Sequence, residues 1–428
     1  MRKMKQKIWE KRNIQIKAMM GTVLAATIMI GGCGTVTPQK QTSVDTAMGT
    51  IVSQTLYVQP GTSETEGLTS SGETTAETGV ILELLKQLEQ QELSWRVEGS
   101  EVAQINALVQ EETEPHGDNA LVQEETEPHG DNALMQEETG THGDNALVQE
   151  ETEPHGDNAL VQDKDIGEPG QKITISLSTS MQQLLAQIWQ VSEDSGGALD
   201  VTIGGLSRLW NLDGLAGMED YGDEELYSIP TDEQIQAALA DIGYERVQLS
   251  DGEITLPAGV QLDLGAVGKG IACDRINEYL HSQPEITGAV VAVGGSVVTY
   301  GLKPDGSAWT VAVMHPRKEG SYLGTLKLTG EHYVSTSGDY ERYIVVDGVR
   351  YHHILEPATG YPANSGLCSV TIVCDNGLQA DALSTACFIL GSERGLALAE
   401  SYGAEALLVA EDGQLYMTEG MQEMFTAE

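Results

Sequence analysis

Residues Asn376 to Gly391, reading NGLQADALSTACFILG, hold the sharpest chemical signal in the chain. Leu378, Ala382, Leu383, Ala386 and Leu390 recur at helical spacing, and Gly391 is placed to stop the helix. Asp381 and Thr385 stand four residues apart and so share one helix face. A carboxylate beside a hydroxyl makes a pair of hard oxygen ligands of the kind Mg2+ or Ca2+ accepts. The plainer alternative is a helix-capping or solvated aspartate.

Three other segments carry residue types suited to binding a phosphate-bearing partner. In LDLGAVGKGIACD, Leu262 to Asp274, a short strand runs through glycines into a helix, where backbone groups and a helix N-terminus can face an anion. The glycine-to-lysine spacing is too short for a phosphate-binding P-loop, and neither Ser nor Thr follows Lys269; a tight turn with a surface lysine is the competing reading. In AVGGS, Ala292 to Ser296, the paired Gly294 and Gly295 at a strand end permit close backbone approach or an ordinary bulge. VSTSGDYER, Val334 to Arg342, precedes YHHILEPATGY, Tyr351 to Tyr361. There His352 and His353 alternate across a strand, so only one of them can face a given site.

These segments need a scaffold. The spacing predicts a strand over Met48–Tyr57 and a helix with Ile81, Leu84, Leu85 and Leu88 on one face. Further helices are expected with Met181, Leu184, Leu185 and Ile188 inward, capped by Ser180, and with Ile235, Ala238, Leu239 and Ile242 inward, closed by Gly243. Strands and hairpins are expected over 247–256 with a turn at Asp251-Gly252, over 290–300, 309–314 and 323–328, and over 340–354 with a turn at Asp347-Gly348. Helices and hairpins are interspersed without strict alternation, which argues for an α+β body in one large or two closely joined domains.

The chain has 428 residues, 23 of them basic and 65 acidic, and the resulting net charge of -42 argues against a nucleic-acid partner. The five cysteines have neither zinc-ribbon nor redox C-x-x-C spacing. The N-terminus differs in kind. Seven basic residues lie within Met1–Lys17, an apolar run follows from Ala18 to Ile30, and Gly31-Gly32-Cys33 comes next. This pattern is expected to be an export signal over residues 1–33 that ends in a lipobox, with Cys33 lipidated and the body held on the extracytoplasmic face of the cell membrane. An uncleaved anchor with an incidental cysteine is the alternative. Residues 34–46 are polar and aperiodic and are expected to be a tether.

A 13-residue unit, NALVQEETEPHGD, begins at Asn106 and recurs at Asn119, Asn132 and Asn145, with a partial copy at Asn158. The four full copies carry fifteen acidic residues, over a third of the net charge. With few apolar residues and a Pro or Gly in each copy, residues 106–162 are expected to be a disordered insertion into a body made of 47–105 and 163–428. The regularly spaced His116, His129, His142 and His155 leave a metal-binding reading open.

The order of the motifs is more specific than any one of them. LDLGAVGKG, a strand ending in GG, TSGDYER, HHILEPATG and ADALSTA together resemble the ApbE family of FAD:protein FMN transferases. MGT at Met48–Thr50, LEQQELSWRVEGSEVAQIN at Leu88–Asn106 and GGALDVTIGGLSRLW at Gly196–Trp210 resemble the family's upstream motifs, so the likeness covers most of Val44 to Gln422 apart from the repeat.

The resemblance implies largely antiparallel sheets packed with helices around a flavin cleft. It implies an enzyme that takes FAD, attaches FMN through its phosphate to a Thr or Ser hydroxyl of a target protein, and releases AMP. It further implies Mg2+ held by Asp381, Thr385 and the Ala266 carbonyl, with Lys269 near the diphosphate or the nucleotide's polar groups. His353 would assist proton removal, Trp95 would stack on the isoalloxazine, and Met48, Asp200, Gly294, Gly295, Ser337, Gly338 and Thr359 would surround the dinucleotide. The expected target is a subunit of a membrane redox complex or an exported flavoprotein. This chain departs from the family pattern at Trp95, where Tyr is common, at Glu356-Pro357, where Asp-Pro is usual, and at Ser335, often Ala. A Mg2+-dependent FAD pyrophosphatase and a non-enzymatic flavin-binding lipoprotein are the competing readings.

Overall fold

Alternating apolar residues build the central feature of the computed structural model, which describes residues 37–60, 77–111, 172–212 and 228–428. Eight antiparallel strands form one sheet in the order β1 (Gln39–Ala47), β2 (Thr50–Val58), β6 (Ile286–Val293), β7 (Ser296–Gly301), β10 (His332–Gly338), β13 (Leu367–Cys374), β14 (Glu405–Ala410) and β15 (Leu415–Met417). Period-two patterning gives this sheet two apolar faces. Ala289, Val291, Val293, Val370, Ile372, Ala406 and Leu408 join the main core under the helices. Their neighbours Val297, Val373, Leu407 and Val409 join a second core on the opposite face. That second core is closed by a three-stranded sheet of β8 (Trp309–Met314), β9 (Tyr322–Leu328) and β16 (Phe425–Ala427), with α9 (Glu419–Met424) leading into the last strand.

The helix-side layer contains α1 (Glu77–Leu88), α2 (Glu101–Glu111), α3 (Thr179–Asp194), α6 (Gly268–Ser282), α7 (Gly377–Leu390) and α8 (Ser392–Ser401). Helix α7 lies between α3, α6, α8 and strands β10 and β13. It is apolar nearly all round, as a helix enclosed on every side must be, and ends at Gly391 with φ of 81°. A third apolar group, with Leu206, Trp210, Ile235, Ile344 and Leu355 buried, joins α4 (Gly204–Trp210), α5 (Asp232–Leu239) and the hairpin β11 (Tyr343–Val346) and β12 (Val349–His352). A small sheet of β3 (Lys172–Ser176), β5 (Glu253–Pro257) and β4 (Gln248–Ser250) completes the architecture. The Asp347-Gly348 and Asp251-Gly252 turns fall where the sequence predicts them, with positive φ at Asp347, Gly348 and Gly252.

Three expectations are corrected. Residues 39–46 belong to strand β1, paired with β2 along its whole length, and not to a tether. An edge strand needs no apolar alternation, and most of β1 is exposed or half-exposed, so composition hides it. The cap of α3 is Ser178, whose hydroxyl accepts from Met181 N at 3.1 Å, two residues before the expected Ser180. Finally, the first six residues of the repeat, 106–111, end helix α2 and do not open a disordered insertion. Asn106 is buried, donating from Nδ2 to the Leu262 carbonyl at 2.8 Å and accepting from Leu262 N at Oδ1 at 2.7 Å. The body therefore takes in residues on both sides of its expected boundaries. The expected export signal, Cys33 and the remaining repeat copies lie outside the described residues. Among the described residues, no helix is long and apolar enough to cross a membrane.

Candidate active site

Helices α6 and α7 meet through glycine. A Cβ placed on Gly270 would lie 2.1 Å from the Gly377 carbonyl oxygen and 2.7 Å from the Asp381 Cβ, and one on Gly377 would lie 2.3 Å from the Gly270 carbonyl oxygen. Only hydrogen fits at these positions, so the G-K-G turn of the sequence is first a packing device. Asp274, further along α6, accepts from Gly377 N at 2.7 Å and Leu378 N at 2.8 Å in the first turn of α7. Asn376 caps the same turn, accepting from Gln379 N at 2.8 Å.

This junction sets Asp381 among three of the sequence motifs. Its Oδ2 accepts from Gly270 N at 2.9 Å. Its Oδ1 accepts from Ser335 Oγ at 2.6 Å on β10 and from Ser296 Oγ at 3.2 Å, just past the glycine pair. Ser335 thus uses its departure from the family pattern to hold the carboxylate. One turn on, Ser384 donates to the Asp381 carbonyl at 2.9 Å, and Ser337 Oγ lies 2.7 Å from Ser384 Oγ and 3.2 Å from Thr385 Oγ1. With the Ser384 proton spent on that carbonyl, Ser337 donates to Ser384 and Thr385 donates to Ser337. The Thr385 oxygen lone pairs stay available.

Asp381 is 3% exposed, and among the described residues no cationic side chain forms an ion pair with it. Buried charges are paired or bind metal, and Mg2+ needs few protein ligands when phosphates and water supply the rest. The pair of one buried carboxylate and one hydroxyl with open lone pairs fits that pattern. Among the described residues no group of three His, Cys, Asp or Glu could hold a metal.

The side of the site that solvent reaches is strongly charged. Lys269, Arg342 and His353 are half-buried, and Glu341 keeps solvent access. Protein nonetheless surrounds Glu341 on most sides, and the lost hydration raises its carboxyl pKa against the opposing pull of Lys269 and Arg342. His352 and His353 part company here. His352 is buried, its Nε2 donating to the Ala363 carbonyl at 3.0 Å and its ring edge-on to Phe388. His353 donates from Nδ1 to the Arg342 carbonyl at 3.2 Å, which leaves Nε2 as a free lone pair. Burial first, then Arg342 and Lys269, hold the His353 pKa well below the ordinary value of 6.5. It is therefore a neutral base at neutral pH.

The other predicted residues occupy distinct places. Met48 and Gly49 form a left-handed turn between β1 and β2, with φ of 51° and 68°, and Met48 N donates to Glu89 at 3.1 Å. Gly294, with φ of 60°, donates to the Ile51 carbonyl at 2.9 Å. A Cβ there would meet Thr50 Oγ1 at 2.6 Å, which joins the first motif to the glycine pair. A Cβ on Gly295 would lie 3.0 Å from Glu341, and one on Gly338 would strike the Tyr340 ring. The Trp95 indole lies under the guanidinium of Arg96 at 4.1 Å and of Arg208 at 4.9 Å, and its buried Nε1 has no partner among the described residues.

Two predicted residues do structural work. Asp200 is buried, with Oδ1 accepting from Thr202 N and Oγ1 and Oδ2 from Tyr244 N, so its carboxylate locks a loop. Thr359 is exposed and donates to Glu356 at 2.8 Å inside the PATG turn. The reading of sequence alone did not single out Asp263, Arg208, Glu341 or Arg342. Asp263 is the carboxylate common to Arg96, Arg208 and Arg342 that opposes their depressed pKa values, each lowered first by desolvation, with Glu341 opposing more strongly at Arg342. Glu341 and Arg342 close the TSGDYER motif in the turn between β10 and β11, and a charged pair in that turn was the signal available.

Comparison with known proteins follows the same lines. A family model described as the ApbE family matches residues 161–408. A Vibrio cholerae protein named FAD:protein FMN transferase is 33% identical over 236 residues, 55% of this chain and 68% of its own length. A Treponema pallidum protein of the same name is 32% identical over 264 residues, 58% of this chain and 70% of its own. Among solved structures, an ApbE protein from Thermotoga maritima aligns with a TM-score of 0.63 at 28% identity, over 90% of this chain and 99% of that one.

Proposed function

The chain belongs to the ApbE family, and from that premise we propose that it is a Mg2+-dependent, lipid-anchored enzyme that moves FMN from FAD onto a Thr or Ser hydroxyl of another protein. Its activity is flavin transfer from FAD to protein, the activity that its relatives' names carry. The observation that carries the finer reading is the Asp381 carboxylate, which draws hydrogen bonds from the Gly-Lys-Gly helix, the glycine-pair turn and the TSGDYER strand at once.

In the proposed reaction the acceptor oxygen bonds to the FMN phosphorus, the bond from that phosphorus to the bridging oxygen breaks, and AMP leaves with the bridging oxygen. The hydroxyl proton passes to His353 Nε2, whose lone pair its Nδ1 hydrogen bond leaves open. Asp381, Thr385 and the Ala266 carbonyl would hold the cation, which supplies charge neutralisation across the diphosphate when bound. Lys269, half-buried in the first turn of α6, adds a mobile positive charge on the same side. The basic, apolar, Gly-Gly-Cys33 order of the N-terminus supports export and lipidation, and the acceptor would then face the same compartment.

The test is purified protein with FAD, Mg2+ and an exported flavoprotein that carries an acceptor Thr. Covalent in-gel flavin fluorescence with one AMP per flavin attached is the expected result. Steady release of AMP and free FMN without acceptor would show a pyrophosphatase instead, and tight FAD binding without turnover a carrier.

A further inference from the structure

Helix α7 has more capping than a helix end requires. Asn376 satisfies Gln379 N from its own chain, at 2.8 Å. The two first-turn donors before it, Gly377 N and Leu378 N, are taken by Asp274, which lies 103 residues before Gly377 at the far end of the G-K-G-I-A-C-D segment. Water or a local cap satisfies such donors in an ordinary helix. Here one carboxylate ties the start of α7 to the body of α6, directly behind the mutual Gly270–Gly377 contact. One turn further along α7 stands Asp381, whose Oδ2 accepts from Gly270 N on α6. The two helices are thus pinned at two levels, Asp274 to the α7 N-terminus and Gly270 to Asp381.

We infer that Asp274 is a positioning residue for the cation site, fixing the register of α7 on α6 and with it the Asp381 oxygens. The inference rests on the reading of Asp381 as a cation ligand given above. A carboxylate offers an acceptor to each of the two N–H groups. Asparagine offers one acceptor and one NH2, so one N–H then faces a donor and the α7 start must move. Groups that orient a metal ligand from behind commonly matter about 10- to 100-fold in metal affinity.

The test titrates Mn2+, followed by the EPR signal of the free ion, into full-length protein with stoichiometric FAD and no acceptor, alongside thermal unfolding. Asp274→Asn is expected to weaken Mn2+ binding about tenfold. Asn376→Ala removes the local cap of the same helix without touching α6. It is expected to lower the melting temperature, yet to keep Mn2+ affinity within about twofold of wild type, since helix capping affects stability and not ligand register. Wild-type affinity in Asp274→Asn, or equal weakening in both variants, would overturn the inference. If Asp274→Asn does not fold, Asp274→Glu keeps both oxygens but sets them one methylene further out; the same loss is expected, and wild-type affinity again overturns it. Asp381→Ala separates the two levels of the account. If it binds Mn2+ as wild type does, the assignment of Asp381 fails and the inference falls with it. If it loses the ion while Asp274→Asn and Asp274→Glu keep it, only the inference falls.

Discussion

Replacing Gly270 with alanine adds one methyl group at the closest approach of two helices. The new Cβ would lie 2.1 Å from the Gly377 carbonyl oxygen, whereas ordinary contact begins near 3.4 Å. Both clashing groups, Gly377 O and Asp381 Cβ, are anchored to the α7 backbone, so no flexible side-chain end can yield. The helices must part by about 1 Å, and overpacking of this kind costs about 1–3 kcal/mol, which leaves a domain of this size folded. The separation also stretches the 2.9 Å bond from Gly270 N to Asp381. A displacement of about 1 Å at a reacting centre costs about 100-fold in rate. The assay is the initial rate of covalent flavin attachment to an acceptor protein, read by in-gel fluorescence, with circular dichroism confirming the fold. Gly205→Ala serves as control, because nothing lies within 4 Å of a Cβ there; it should leave the rate unchanged and stability equal or slightly higher. A Gly270→Ala enzyme that labels at the wild-type rate would refute the claim that this contact sets the site.

Three further outcomes are expected. His353→Ala should lower the transfer rate by about 100-fold or more. Because the wild-type ring loses its proton well below pH 6.5, the acid limb of the pH–rate profile should fall below that value, and a limb at or above it would contradict the base assignment. Asn106→Ala leaves the buried N–H and C=O of Leu262 without their partner and should cost about 2–4 kcal/mol by urea titration. Desolvation raises the Asp274 carboxyl from 3.8 to about 6, so the folded state holds that proton more tightly than the unfolded chain. Wild-type stability, measured against Asp274→Asn, should therefore fall by about 3 kcal/mol as pH rises from about 4 to about 6 and then level off; a difference that rises with pH would show the opposite shift.

Much of this arrangement was legible in the sequence because it rests on local rules. The Asp381–Thr385 spacing, the Gly391 stop and the Asp-Gly turns follow from helical period and positive-φ chemistry within a few residues. The choice between His352 and His353 was not local. It depends on which ring meets the Ala363 carbonyl and Phe388, both set by tertiary packing. Strand β1 was hidden for a different reason: its register comes from β2 and its polar side chains carry no pattern. The partners of Asp200 were not legible either, because a motif marks where a carboxylate stands but not which donors it meets; here they are Thr202 and Tyr244. The link from Asp274 to α7 spans 103 residues and leaves no mark in either segment alone.

The most direct test of the central claim is the rate of covalent FMN attachment by Asp381→Ala, measured with FAD, Mg2+ and an acceptor protein under conditions where the variant remains folded. The account predicts that labelling stops, because the carboxylate at the meeting point of three motifs is gone. Labelling at the wild-type rate would contradict it.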